Sequence, residues 1–304
     1  MYDICVIGGG PAGISSAIYS ASRGLKTVVL EKKSVGGLLG SVSTVTHYSG
    51  IIENETGKSF ADRLRRQAEA AGVEIRMETV LYAELTGKIK KITTEQNVYE
   101  AKAVIIAAGT TKRALGIPGE AELSQKGVGM NASESAKDYE GKEMFVVGGA
   151  DGAVKEALYL AGFASKLTII HFEDQLGAIP EFTEKVKKTD NIEVMLHSRL
   201  TAVEGTDQAE LLKITDEHTG EVKEIHSPGC AVYIYAGSVP NTEMYPMLET
   251  IDGYLVADEK QETNIEGVYA AGDICVKQVR QAATAVSDGA IAGINAAAYV
   301  KTVD

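Results

Sequence analysis

The chain is predicted to be an α/β protein of two three-layer nucleotide-binding domains, the second inserted into the first. Three observations carry that prediction. A glycine-rich turn, Gly8-Gly9-Gly10-Pro11-Ala12-Gly13, follows the apolar run Ile4-Cys5-Val6-Ile7, and a second, Gly148-Gly149-Ala150-Asp151-Gly152-Ala153, follows another such run. Each turn opens a helical pattern that leads into a further apolar run, so both read as Rossmann-like βαβ units. Extended connections at Gly116-Ile117-Pro118-Gly119 and Val239-Pro240-Asn241 bracket the second turn. They divide the chain into residues 1–115 with 241–304, and 116–240. With 304 residues, the chain is also too long for one average core.

Taken in order, β-branched and apolar runs predict strands near 2–7, 27–31, 103–108, 143–147, 166–171, 192–196, 231–235 and 267–271. Helical periodicity predicts helices near 11–23, 58–71, 152–163 and 280–299. Residues 80–100 and 199–226 alternate polar and apolar side chains between turn signals, as antiparallel hairpins do.

In the first unit each glycine has a task. Gly8 makes the tight turn, Gly10 lets the backbone approach a pyrophosphate, and Gly13 lets helix and strand pack closely. The helix N-terminus faces the phosphate charge. Glu31 closes the second strand, about 20 residues past the glycines, where a carboxylate accepts from a ribose hydroxyl. Only this first turn keeps every glycine. In the second, Ala150 puts a methyl group where the phosphate approaches.

Composition narrows the function. Lys and Arg number 30 against 42 Asp and Glu, a net charge of −12, and no basic tract is long enough to follow a nucleic-acid backbone. No apolar run approaches 18 residues, and the first strand begins at once with no secretory pattern before it, so no membrane is expected and a cytoplasmic location is. Cys5, Cys230 and Cys275 are widely spaced, two of them inside apolar runs, which argues against a disulfide framework. The histidines and cysteines show no metal-ligand spacing, so no metal is expected.

Beyond the first turn, Gly267-Val268-Tyr269-Ala270-Ala271-Gly272-Asp273, Arg280-Gln281-Ala282 and Ile105-Ile106-Ala107-Ala108-Gly109-Thr110 resemble the FAD site of the thioredoxin reductase family. The resemblance runs through nearly the whole chain and includes Gly36-Gly37-Leu38, Tyr48-Ser49-Gly50, Gln67-Ala68-Glu69 and Gly237-Ser238-Val239-Pro240-Asn241. It implies an FAD-binding domain in 1–115 and 241–304, a pyridine-nucleotide-binding-like domain in 116–240, and a homodimer. It also implies an FAD site at Gly8, Gly10, Pro11, Ala12, Gly13, Glu31, Lys32, Gly37, Leu38, His47, Val80, Ala108, Gly109, Gly272, Asp273, Arg280, Gln281 and Ala282. His47 either meets the isoalloxazine ring or is a polar loop residue. Arg63, Arg65 and Arg66 read as a solvated helix face, or as a patch for an acidic electron carrier.

The departures from the family pattern matter as much as the matches. The family carries Cys-x-x-Cys just before the first strand of the inserted domain, and here Asn131 and Glu134 stand at those positions. Neither forms a disulfide or a thiolate adduct. Related thiol reductases place a cysteine inside the first glycine motif, where this chain has Ala12. After the strand 166–171, NADPH users of the family place arginines on the 2′-phosphate, and this chain reads His171-Phe172-Glu173-Asp174. Two carboxylates there oppose that phosphate. NADPH is therefore not expected, and weak NADH use through Glu173 is the alternative. The catalytic residues stay unassigned.

The leading expectation is an FAD-dependent oxidoreductase of this type without the dithiol, fed by a carrier such as ferredoxin or flavodoxin, or weakly by NADH. A ferredoxin–NAD(P) reductase and a non-catalytic redox-sensing flavoprotein are the alternatives.

Overall fold

A computed structural model describes residues 1–303 of the chain. In chain order its elements are β1 (Tyr2–Ile7), α1 (Pro11–Ala21), β2 (Thr27–Glu31), α2 (Gly57–Ala70), β3 (Glu74–Met77), β4 (Val80–Glu84), β5 (Lys90–Thr94), β6 (Val98–Ile106) and β7 (Thr110–Lys112). There follow α3 (Ala132–Ser135), β8 (Glu143–Val147), α4 (Asp151–Leu160), β9 (Lys166–Ile170), α5 (Pro180–Lys187), β10 (Ile192–Met195), β11 (Ser198–Glu204), β12 (Leu211–Asp216), β13 (Val222–His226) and β14 (Ala231–Ile234). The chain ends through β15 (Ser238–Pro240), β16 (Thr250–Ile251), β17 (Tyr254–Leu255), β18 (Val268–Ala270) and α6 (Ala282–Val303). It forms two compact units, one of Met1–Thr111 with the chain from Val239 onward, the other of Lys112–Ser238. Each unit is built on a Rossmann-like α/β sheet.

In the first unit the sheet order is β3-β2-β1-β6-β5-β4, with β18 also paired to β6. The strands β2, β1, β18 and the second half of β6 run parallel and are buried on both faces, which explains their apolar sequences. The expected strand at 103–108 and the expected hairpin at 80–100 share one strand. Val98–Ala101 pairs antiparallel with β5, and Val104–Ile106 pairs parallel with β18, all within the nine residues of β6. Burial alternates along the first half of β6 and is complete along the second, as a half-exposed meander and a covered parallel sheet respectively require.

The helix α6 lies against α1 at backbone distance. A Cβ on Gly289 would fall 2.1 Å from the Ala12 oxygen, and one on Gly293 would fall 2.4 Å from the Ser16 oxygen. Ser15 Oγ donates to the Val286 carbonyl at 2.8 Å, fixing the register. The glycine and alanine face of α6, Ala285, Gly289, Ala292, Gly293 and Ala296, is therefore a packing surface that sets the start of α6 beside the first glycine turn.

In the second unit β10-β9-β8-β14 is parallel throughout, and the expected hairpin region forms the antiparallel meander β11-β12-β13 with a bulge between Leu200 and Ala202. The helix α5 was not apparent from periodicity. It is eight residues long, starts on Pro180 and buries only Phe182 and Val186. Among the described residues no helix is long and apolar enough to cross a membrane.

Candidate functional site

The first glycine turn is built where β1, β2 and β6 end together. Gly8 has φ +108°, its N–H donates to the Leu30 carbonyl at 2.8 Å, and a Cβ on it would meet the Ala107 oxygen at 2.3 Å. A Cβ on Gly13 would fall 1.9 Å from the Gly8 oxygen, so only glycine lets α1 begin this close to the strand. Gly10 differs from both. It is extended, and a Cβ there would meet nothing within 4 Å. The turn thus encloses Gly8 and Gly13 and leaves open space over Gly10, the space a phosphate group takes at a helix N-terminus.

Glu31 is buried at the end of β2, with Oε2 accepting from the Gly9 N–H at 2.7 Å and Oε1 from the Lys33 N–H at 2.8 Å. Each carboxylate oxygen keeps acceptor capacity for a hydroxyl. The Gly36 N–H donates to the Gly9 carbonyl at 2.8 Å, and a Cβ on Gly37 would lie 3.4 Å from Gly10 Cα, which brings the 3-10 turn Gly37–Ser41 onto the glycine loop.

The loop after β18 closes on the same turn. A Cβ on Gly272, φ +85°, would fall 2.8 Å from Ala12 Cβ, so a bulkier side chain at position 12 would press on this loop. The Gly272 N–H donates to Asp288 Oδ2 on α6 at 3.0 Å, and Asp288 is also ion-paired with Lys277. Arg280 donates to the carbonyls of Asp273, Cys275 and Lys277, and its guanidinium lies 3.9 Å from the Tyr254 ring centroid. Held this way, Asp273 keeps Oδ1 buried with no hydrogen-bond partner, and burial raises its carboxyl pKa despite Lys277 and Arg280. An orphaned buried acceptor beside a glycine turn and the first residue of α6, Ala282, is the cradle a phosphorylated, hydroxylated ligand fits.

The other expected site residues lie around this cradle in different ways. On the β6 side, Asn241 ties down Ala108 and Gly109 by donating to both carbonyls, from its N–H to Gly109 at 3.1 Å and from its Nδ2 to Ala108 at 2.7 Å. Val80 is buried in the apolar cluster with Ile7 and Leu30. Lys32, Leu38 and Gln281 are exposed, and so is His47, whose Nδ1 lies 3.1 Å from Thr46 Oγ1. Sequence reasoning missed Asp288 and Tyr254, which hold the Asp273 loop by contacts between distant segments. Arg65 is exposed and ion-paired with Glu69, as on a solvated helix face, whereas Arg63 is half-buried and ion-paired with the buried Glu55.

The second glycine turn repeats the first. The Gly148 N–H donates to the Ile170 carbonyl at 3.0 Å, and a Cβ on Gly148, φ +128°, would meet the Tyr235 oxygen at 2.6 Å. A Cβ on Gly149 would fall 2.5 Å from the His171 ring, just as one on Gly9 would crowd Glu31. His171, not Glu173, therefore holds the place that Glu31 holds in the first unit. Its Nδ1 is buried without a hydrogen-bond partner, and its Nε2 lies 3.1 Å from Glu173 Oε2. Phe172 lies under the Arg199 guanidinium, 4.8 Å from its ring centroid, and Arg199 is itself paired with Glu217 through two 2.9 Å bonds.

At the positions of the family dithiol, Asn131 caps α3, its Oδ1 accepting from the Ser133 N–H at 3.1 Å, and Glu134 is exposed in the first turn. Cys5, Cys230 and Cys275 are free and buried, and burial pushes the Cys230 and Cys275 thiols up to about 12 and Cys5 higher still. None is a thiolate at neutral pH.

Residues 2–289 match the pyridine nucleotide-disulphide oxidoreductase family. The thioredoxin reductase of Peptoclostridium acidaminophilum is 39% identical over 99% of this chain and 98% of its own. The Lactococcus lactis thioredoxin reductase structure superposes with a TM-score of 0.95 at 34% identity, covering 99% of this chain and 100% of that one. A ferredoxin-flavin thioredoxin reductase from Clostridium acetobutylicum superposes with a TM-score of 0.55 at 29% identity over 99% of this chain and 98% of that one.

Proposed function

The chain belongs to the pyridine nucleotide-disulphide oxidoreductases, on the thioredoxin reductase branch, and is an FAD-dependent oxidoreductase; from that premise we propose that it works without a redox-active dithiol and without an effective NADPH site. The observation that carries this reading is the pair Asn131 and Glu134 serving as a helix cap and first turn, with every cysteine buried elsewhere.

In this reading Gly10 and the start of α1 meet the pyrophosphate of FAD, Glu31 accepts from the adenosine ribose, and Asp273 Oδ1 and the start of α6 meet the ribityl phosphate end. Arg280 and Asp288 are positioning residues for Asp273 and Gly272. Bound there, FAD supplies the electron-transfer chemistry. The chain's own part is to bind it, to orient it through backbone N–H groups, and to keep Asp273 desolvated for it.

Electrons are delivered by a protein carrier of the ferredoxin or flavodoxin class, with NADH as a weak donor, in a cytoplasmic homodimer. Support for a carrier comes from the Clostridium acetobutylicum relative, which is named for ferredoxin. Support for weak NADH use comes from the second glycine turn, whose Gly148 geometry is kept although Ala150 and the carboxylates after β9 oppose NADPH.

Replacing Cys5, Cys230 and Cys275 together by alanine or serine is expected to leave the rate of flavin reduction nearly unchanged in a folded protein. Stopped-flow bleaching with the same donor measures it. A loss that traces to one cysteine would mean a thiol step operates.

A further inference from the structure

We propose that Asp174, His197 and His218 form a site on the second unit for one divalent transition-metal ion of the Zn²⁺, Ni²⁺ or Cu²⁺ class. The three come from separate segments: the loop after β9, the turn between β10 and β11, and the turn between β12 and β13. Their ligand atoms all lie within 4.8 Å of one another. Sequence spacing gives no sign of the set, because 21 residues or more separate its neighbours only along the chain; the meander folds them together.

His197 is the fixed member. It has φ +49°, uncommon for a side-chain-bearing residue, and its backbone is held on both sides. Its N–H donates to the Glu173 carbonyl at 3.2 Å and its carbonyl accepts from the Glu217 N–H at 2.7 Å. The Nδ1 atom is shielded from solvent and makes no well-directed hydrogen bond, although Asp174 Oδ1 is 3.1 Å away. The His218 ring packs beside it with centroids 4.0 Å apart and planes tilted by 34°. A shielded imidazole nitrogen without a hydrogen bond, with a carboxylate oxygen and a second imidazole beside it, is a donor left over for a metal ion.

Two imidazoles and a carboxylate suit a borderline metal ion, while Mg²⁺ and Ca²⁺ need more oxygen ligands than are present. Metal–nitrogen bonds of about 2.0–2.1 Å require the ligand atoms to draw closer than they stand. Asp174 and His218 are exposed and can rotate inward, with His197 as the anchor. Three protein ligands leave a coordination position open to water or an anion. The ion would also neutralise Asp174 and pin the loop that carries Glu173.

The test uses flavin-loaded protein stripped with a chelator and titrated with zinc chloride, followed calorimetrically and by metal content after gel filtration. The expected result is saturable binding of one ion per chain that excess Mg²⁺ does not displace. His218→Ala, Asp174→Asn and His197→Asn should each weaken it at least about tenfold, the smallest loss seen when even an outer partner of a metal ligand is removed. Asparagine is chosen at 197 because it tolerates the left-handed backbone. Flavin content and the metal-free unfolding temperature should stay at the parent's values in His218→Ala and Asp174→Asn, showing that the fold is kept. Absence of saturable binding, or unchanged binding in His218→Ala and Asp174→Asn, would overturn the proposal.

Discussion

Gly10→Ala is expected to leave the flavin-free chain as stable as the parent and to remove most of its FAD. Gly10 has φ −71° and ψ −178°, a conformation alanine adopts freely, and the added Cβ meets no protein atom within 4 Å. In the proposed reading, what it meets is the space the pyrophosphate takes. Displacing a charge-assisted contact costs about 1.5–3 kcal/mol, so FAD affinity should fall by about tenfold to a hundredfold. Gly13→Ala provides the opposite case. Its Cβ would fall 1.9 Å from the Gly8 oxygen, and overpacking of that kind typically costs about 1–3 kcal/mol of stability before any ligand is considered. Acid release and chromatography of the flavin, with thermal unfolding of the flavin-free proteins, separate the two. The flavin released from the parent should be FAD and not FMN, since Glu31 waits for an adenosine ribose. Full FAD content in Gly10→Ala would place the phosphates elsewhere.

The second large effect is a gain. Ala150→Gly combined with Phe172→Arg and Glu173→Arg is expected to tighten NADPH binding by at least about tenfold over the parent. Ala150 occupies the N-cap position of α4 in an extended conformation, so glycine there leaves the helix in place and clears the approach of a pyrophosphate. The two arginines replace an exposed aromatic ring and a carboxylate at the end of β9 and supply the charge a 2′-phosphate needs. Arg199 does not already provide it, because Glu217 holds its guanidinium in a two-bond pair. NADH binding should change far less, since it has no 2′-phosphate for the arginines to grip. Equilibrium titration of the nucleotides against each protein measures both. An equal gain for NADH and NADPH would mean that the arginines act without contacting the 2′-phosphate.

The parts of the fold written in short-range periodicity were legible in the sequence. The run Ile4–Ile7, the turn at Gly8–Gly13 and the run to Glu31 give one βαβ unit, and the turn at Gly148 gives its counterpart. Helix α5 was not legible because eight residues with two buried side chains carry too little amphipathic signal. The strand β6 was read as two features because its pairing changes from antiparallel to parallel partway along, and no local pattern marks the change.

At the first glycine turn, Gly8 and Gly13 were legible because each answers a backbone need. The rest depended on contacts across the chain. Glu173 follows the second-unit strand in sequence as the natural ribose partner, yet His171 sits on Gly149 because β9 ends one residue before it. Asp288 supports the Gly272 turn from within α6, 16 residues further along the chain, and no local pattern marks that contact. Asp174, His197 and His218 meet for the same reason, through the fold of the β11–β13 meander.

The most direct measurement is an anaerobic titration of the oxidised, flavin-loaded protein with NADPH, NADH and chemically reduced ferredoxin, each followed by the loss of the flavin absorbance. Reduced ferredoxin should bleach the flavin rapidly, NADH slowly, and NADPH more slowly still and with poor affinity. Rapid bleaching by NADPH at low micromolar concentration would contradict the loss of the NADPH site, and the ferredoxin–NADP reductase reading would take its place.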